Sequence, residues 1–553
     1  MQTNWINQIG DWNPQLLREI KGRLHKRNVL IIMVASFLTQ LVVFLYFQGL
    51  LPSNPIGSNR YCRGQNLEIY NECFLDNSGN LDINWQVWFQ DTFSWLSILG
   101  IFVIIVAGIY LLINDLSTEE RRDTLNFIRL SPQSPQSILF GKMLGVPILV
   151  YLGVCLAIPF HLWLGLNAQI PLGLICGFYI LVLTSSLLYF SGALLFGLVG
   201  SWLGSFQAWL GSGAVLGFLS ITQQVITSGT TSNHPFKILN FLNPYYVISS
   251  LGNDTNRMDV ANVRWFNFLI GNSWVEIIGF TVVIHLVGAY FLWQSLQRCF
   301  RDRNATMLSK QQSYWLTSAF TIITVGFANW SQLVFGDGSY TYAMRENIAC
   351  LMFLDLCFCL YLIAALTPHR HTLQDWARYR HFGTQQGKKL NLVQDLIWGE
   401  KSPAILAIAI NVMIAITGLS LFALVSLADR EDKVVSLVAL IFAGSLTLIY
   451  AALTQLLLLM KHGQRLFLTN GVMIGVMILP VVALGMLFSS PQNYTFLWLF
   501  SVAAPVVVLY PSGEVTIITS IMGIIGHTIL LSFMLLQITR QLKKAGESAT
   551  KAL

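Results

Sequence analysis

The side chains with chemistry to offer are few, and most lie at the edges of long apolar runs. Asp355 stands inside "CLMFLDLCFCL", with Cys359 four residues on and Cys350 and Cys357 close by. An acid in such a run is expensive to keep and often functional, but with no partner visible it reads rather as a side chain bonded to a neighbouring helix or protonated. The same spacing would suit a metal, but cysteines in apolar runs are ordinarily packed side chains, and no metal is assigned. His369, His371 and His381 form a second group, with Arg370 and Arg380 among them. Beside two arginines they read as solvated interfacial groups rather than acid–base catalysts. Cys62 and Cys73 share one polar loop and could close it by a disulfide in an oxidising compartment; two free thiols are the other reading. "GTQQGKK" (Gly383–Lys389) is one residue short between its glycines and lacks a hydroxyl after the lysine, so it is not a phosphate-cradling loop. The densest group is "LSTEERRDTLNFIRLSPQSPQSILFGKML" (Leu116–Leu144), a charged, proline-punctuated island between two apolar stretches. On charge content alone it reads as a solvated loop at a membrane face.

The elements that must position these groups follow from composition. Of 553 residues, 54% are hydrophobic and 11% charged, against about 25% charged in soluble domains. The chain reads as an all-α polytopic membrane protein. Apolar runs of about 20 residues cross the hydrocarbon core as helices, since lipid offers the backbone no hydrogen-bond partner. Twelve such runs are expected: 28–51, 89–113, 143–166, 172–199, 203–227, 274–296, 314–335, 344–366, 403–427, 434–460, 466–488 and 515–538. The first is too long for a signal-peptide core and reads as a retained anchor. A further run, 494–510, carries Pro505 and is followed by Pro511, so it reads as a re-entrant outer hairpin rather than a span.

Placing both tails in the cytoplasm puts 25 of the 33 Lys and Arg on that side, as the positive-inside rule requires. The net charge of +7 is then a basic rim beside anionic lipid, and nucleic acid is not needed to explain it. A plasma (inner) membrane location follows.

The twelve spans divide six and six. Each half has two spans, a long charged cytoplasmic loop and three more spans. An outer apolar segment holding proline comes next, "ILNFLNPYYVISSLG" with Asn243 and Pro244, then "LWLFSVAAPVVVLYPSG" with Pro505. A last span follows in each, with a late histidine, His285 or His527. The expected domains are a tail at 1–27, a first half at 28–303 and a second half at 304–553 with the C-terminal tail. Glycine pairs Gly200/Gly204, Gly213/Gly217 and Gly471/Gly475 have the spacing that lets helices approach closely.

Within the island, Ser117 and Glu120 have capping-box spacing, with Glu119 and Glu120 in the first turn of the expected helix. Pro132 ends that helix, and Pro135 opens another that runs toward Lys142. Ahead of the first span, "NPQLLREIKGRLHKR" reads as an amphipathic interfacial helix. Asn13 caps it, Pro14 takes the first turn, and Leu17, Ile20 and Leu24 form an apolar stripe among charges that include Glu19 and Arg23.

Together, Glu119–Arg122, Thr124-Leu125, Ser131-Pro132, Ser134-Pro135, Gly141-Lys142, the Asn13–Arg27 helix and "LNPYYVISSL" resemble the ABC-2 family of ABC-transporter permeases. Asp123 stands where that pattern has glycine. The second-half loop, Thr367–Lys401, lacks the Glu-Glu-Arg-Arg run. The resemblance implies that the island docks on a separate ATPase subunit, which carries the ATP and magnesium, so that this chain binds no cofactor of its own. Glu119, Glu120, Arg121, Arg122, Leu125, Ile128, Pro132, Pro135 and Lys142 are the implied coupling residues, with Phe127 beside them. The implied activity is transport of an unidentified substrate, by export, with no enzyme chemistry in this chain. The alternative is an integral-membrane transferase acting on lipid-linked substrates, for which Asp355 and the three histidines are the only candidates. A non-transporting membrane anchor is a third reading.

Overall fold

The computed structural model describes residues 8, 10–53, 58–63, 66–67, 70–75, 81–228, 234–251, 254–334, 336, 341–386, 391–461, 463–487, 495–510 and 517–547. Pro511 and the Gly387–Lys389 end of the glycine–lysine stretch lie outside the described residues. Among the described residues, eleven helices are long and apolar enough to cross a membrane. The chain is an all-α, multi-pass membrane protein. It divides into two compact units, one of Met1–Ser232, Leu239–Val263 and Leu269–Arg301, the other of Asn233–Ile238, Arg264–Phe268 and Asp302–Leu553.

In the first unit, α1 (Pro14–Arg23) precedes α2 (Lys26–Gly49). Next, α3 (Trp85–Arg121) runs for 37 residues with one π-helical turn at Val103–Ala107. At 1.5 Å per residue it reaches ~55 Å, beyond the ~30 Å hydrocarbon layer. At least one of its ends therefore extends past the apolar zone, and Asp115 and Glu119 lie toward its C-terminal end. This overturns the expected capping box. Ser117 lies inside α3 and donates to the Asn114 carbonyl at 3.1 Å, and Glu119 and Glu120 belong to the last turn, not the first. Extending a helix costs less than nucleating a new one. The break comes at Asp123, whose φ of 54° is left-handed, a conformation aspartate tolerates better than most residues.

Two short helices do follow, α4 (Thr124–Arg129) and α5 (Pro135–Gly145). The Ser134 hydroxyl caps α5 by accepting from Ser137 N–H at 3.2 Å. The expected run 143–166 is split, because α5 ends before Pro147 and α6 (Ile148–Asn167) begins after it. Then come α7 (Leu172–Val199), α8 (Gln207–Ser228) and α9 (Trp274–Arg301).

In the second unit, α10 (Lys310–Gly326), α11 (Thr341–Leu366), α12 (Arg370–Gln385) and α13 (Leu392–Trp398) precede α14 (Ile405–Val425), α15 (Arg430–Leu458), α16 (Arg465–Leu487) and α17 (Ile517–Glu547). The expected run 314–335 is shorter than foreseen: α10 has 17 residues and stops near Phe327. Asn329 N–H there donates to Asn347 Oδ1 at 3.0 Å, and a one-turn helix, Trp330–Leu333, follows. The core of this unit is built from Ile348, Leu362, Ile408, Phe422, Phe442 and Leu509.

The glycine pairs do not behave as their spacing suggests. A Cβ placed on Gly213, Gly217 or Gly471 would meet nothing within 4 Å, and one on Gly475 only its own helix's Leu479. Gly204 instead bends the chain with φ 59°, and Gly200 lies at the end of α7, where Gln207 reaches back to the Gly197 carbonyl at 3.0 Å. Spacing selects a face of a helix but not which face is packed.

Neither proline-bearing segment is a continuous helix. The first is a short helix, Lys237–Phe241, then a 3-10 turn, Tyr246–Leu251. The second is Thr495–Trp498 and Ala504–Leu509, with Pro505 in the opening turn. Cys62 and Cys73 are joined by a disulfide with Cα atoms 5.0 Å apart. Arg60 and Tyr61 tie that loop to Asp91 on α3, at 2.9 Å and 3.2 Å.

Candidate functional site

The island and the interfacial helix meet in one buried ionic cluster. Asn13 caps α1 by accepting from Leu16 N–H at 2.9 Å, and its amide donates to the Ser137 carbonyl of α5 at 2.7 Å. One side chain thus starts α1 and binds it to α5. The two helices can touch because Gly141 and Gly145 lie one turn apart on α5. A Cβ on Gly141 would fall 2.7 Å from Asn13 Oδ1, and one on Gly145 2.5 Å from Glu19 Cβ. The face of α1 turned to α5 is therefore Gln15, Leu16 and Glu19, all buried. Leu17 and Ile20 are half-buried and Leu24 is exposed, so the expected apolar stripe points away from this contact.

Beneath that contact lies Lys142, fully buried at 0% exposure. Its Nζ is 2.6 Å from Asp115 Oδ2, 2.7 Å from Glu119 Oε2 and 3.9 Å from Glu19 Oε1. Arg23 bridges Asp115 at 2.6 Å and Glu19 at 3.2 Å, and Arg18 bridges Glu119 at 2.5 Å. Three carboxylates thus face three cations. The ligand atoms of Glu19, Asp115 and Glu119 lie within 4.8 Å of one another, a spacing that would suit a metal ion. The Lys142 ammonium already holds the cation's place, so the trio is a lysine cradle.

This corrects the expectation that Lys142 and Glu119 present themselves for docking: their charges are consumed inside the chain. Leu125 and Ile128 also turn inward, at 2% and 7% exposure. The residues facing outward on and beside α4 are Phe127 at 79% and Leu130 at 85%, with Arg121, Arg122 and Pro132 exposed around them. Glu120 is half-buried, and Pro135 opens α5. Leu130 was not singled out by sequence, since a lone leucine before Ser-Pro carries no pattern. Arg129 turns back over the Phe300 ring of α9 at 5.5 Å, which fixes the far end of α4.

The two proline-bearing segments are each held by a buried histidine. His285 on α9 donates from Nε2 to the Phe241 carbonyl at 2.9 Å, and its Nδ1 is 3.1 Å from Thr184 Oγ1 on α7. His527 on α17 donates from Nε2 to the Leu499 carbonyl at 2.9 Å, and its Nδ1 is 2.7 Å from Ser445 Oγ on α15. A carbonyl only accepts, so it fixes the proton on Nε2 in both rings. The buried Asn243 adds a bond to Thr222 of α8 at 3.1 Å, while Pro244 occupies the turn. Replacing His285 by leucine removes the hydrogen bond to the Phe241 carbonyl. It is expected to cost about 1–3 kcal/mol, read as a lower melting temperature of the detergent-solubilised protein.

Asp355 lies on α11 and lines a cavity shared with α14, α15 and the Ala504–Leu509 helix. None of His369, His371 and His381 lines it, so the structure does not bring together the groups a transferase would need. Partial desolvation and the nearby Arg465 hold the His369 imidazole below its usual pKa, although the residue keeps an exposed face.

The geometry defines a class, a helical multi-pass membrane protein in which the short helix α4 is tied at its base into a buried ionic cluster. No family model, curated protein or solved structure matches the chain.

Proposed function

We propose that this chain is the transmembrane permease of an ABC-2-type transporter, an exporter powered by a separate ATPase subunit that holds ATP and magnesium. The observation that carries the reading is α4. It hangs between the second and third crossings, offers Phe127 and Leu130 to a partner among exposed arginines, and has its base locked through Lys142. Apolar anchors within a charged surround are what a wet, specific docking face requires. Force applied to α4 would pass through the cluster into α1, α3 and α5.

In this reading α10 makes a twelfth crossing, extended by Trp330–Leu333, and the halves join at about residue 303. The matched histidines support two six-helix halves in one chain, supplying both membrane domains of the transporter. Both tails lie in the cytoplasm of a plasma (inner) membrane protein. The outer segments are re-entrant, and Leu17, Ile20 and Leu24 of α1 rest on membrane lipid. Asp123 takes the left-handed turn that glycine fills in the resembled pattern.

The test is reconstitution with an ABC ATPase subunit, sought first among the genes neighbouring this one. Phe127→Asp with Leu130→Asp is expected to abolish stimulation of that ATPase and its co-purification. Both side chains are exposed, so the melting temperature should hold. Undiminished stimulation by the double variant would refute the docking role.

A further inference from the structure

Asp355 is a carboxylate with no hydrogen bond or ion pair among the described residues. It opens into a half-enclosed cavity of about 230 Å³ whose lining includes Phe353, Cys359, Thr447, Tyr450 and Pro505. The rest of the lining is aliphatic or small, and no lysine, arginine or histidine contributes to it. The Thr447 hydroxyl is committed to the Ala443 carbonyl at 2.9 Å. An acid at mid-helix in a membrane span ordinarily faces a partner charge or a functional cavity. Among the described residues no partner charge lines the cavity, and the cavity is present. The volume is below the 300–1,000 Å³ of drug-sized sites, so the occupant is small. The apolar walls call for a lipophilic body, and two aromatic side chains in the lining add surfaces that attract cations.

We propose that this cavity is a binding site for a small lipophilic cation, with Asp355 as its counter-charge. The site lies wholly within the second unit and does not depend on the transport reading, because binding needs no ATPase.

The test uses the full chain in lipid nanodiscs and benzyltrimethylammonium as the probe. Saturable binding is expected, with the neutral isostere neopentylbenzene failing to displace the probe at matched free concentration. Asp355→Asn, close in shape, should weaken binding roughly 30-fold or more, the usual penalty for removing one member of a desolvated charge pair. The proposal is overturned if the wild-type chain shows no saturable binding, or if neopentylbenzene competes equally well. It is overturned too if the Asn variant, eluting as a single species, binds like the wild type. The competition on wild-type protein decides the matter even if the variant fails to fold.

Discussion

Lys142→Ala is expected to be the most damaging single change in the first unit, at about 3–5 kcal/mol, the range for breaking a buried ion pair from one side. The lysine is fully buried, and it alone approaches all three carboxylates. Without it, Glu19, Asp115 and Glu119 crowd together with only Arg18 and Arg23 to offset them, and both arginines come from the more exposed side. The measurement is thermal unfolding in detergent, with a fall of several degrees expected. Two further results separate an ionic cause from simple loss of packing. Adding Glu119→Gln to Lys142→Ala should recover part of the loss, since one uncompensated charge disappears. Millimolar calcium should also raise the melting point of Lys142→Ala, because the vacated cradle has the spacing for a cation. Calcium should leave the wild type unchanged, its site being filled by the ammonium. A Lys142→Ala protein as stable as the wild type would show that the cluster adds nothing.

The parts of this fold that a one-dimensional pattern can carry were readable from the sequence, and the parts made by distant residues were not. Apolar runs located eleven long helices, because lipid dictates helix where they occur, while the run 314–335 gave a helix of only 17 residues. Asn13 with Pro14 and Ser134 with Pro135 announced two helix starts, and both form as read. The late histidines and proline-bearing segments suggest a repeat of order, but not that each histidine ties its proline-bearing segment to a neighbouring helix. The cluster was invisible because its members come from three helices: Glu19, Asp115, Glu119 and Lys142 each look like a charge for solvent. The α4 face was misjudged for a related reason. In a six-residue helix, Leu125, Phe127 and Ile128 are equally apolar, and only packing decides that Phe127 is the one left out. The capping box failed because a local signal at Ser117 competed with a helix already under way.

Glycine offers the sharpest contrast between pattern and packing, and it makes the second large prediction. Gly141 and Gly145 have the same spacing as Gly213 and Gly217, yet only the first pair lies under another helix. Gly145→Leu would drive a branched side chain into Glu19 and Leu16, the contact that seats α1 on α5. Overpacking of this kind costs about 1–3 kcal/mol, and lifting α1 also withdraws Glu19 and Arg23 from the cluster. The expected outcome is release of α1, followed through a cysteine introduced at Gln15, which is buried against α5. Gln15→Cys should be protected from a membrane-impermeant maleimide in the parent and labelled rapidly once Gly145→Leu is added. Gly217→Leu, placed where a side chain meets open space, should leave both the labelling rate and the melting temperature as they were. Equal labelling in the two leucine variants would mean that α1 is held by something other than its glycine seat. Protection that survives Gly145→Leu would mean that the ionic cluster alone suffices to hold the helix down.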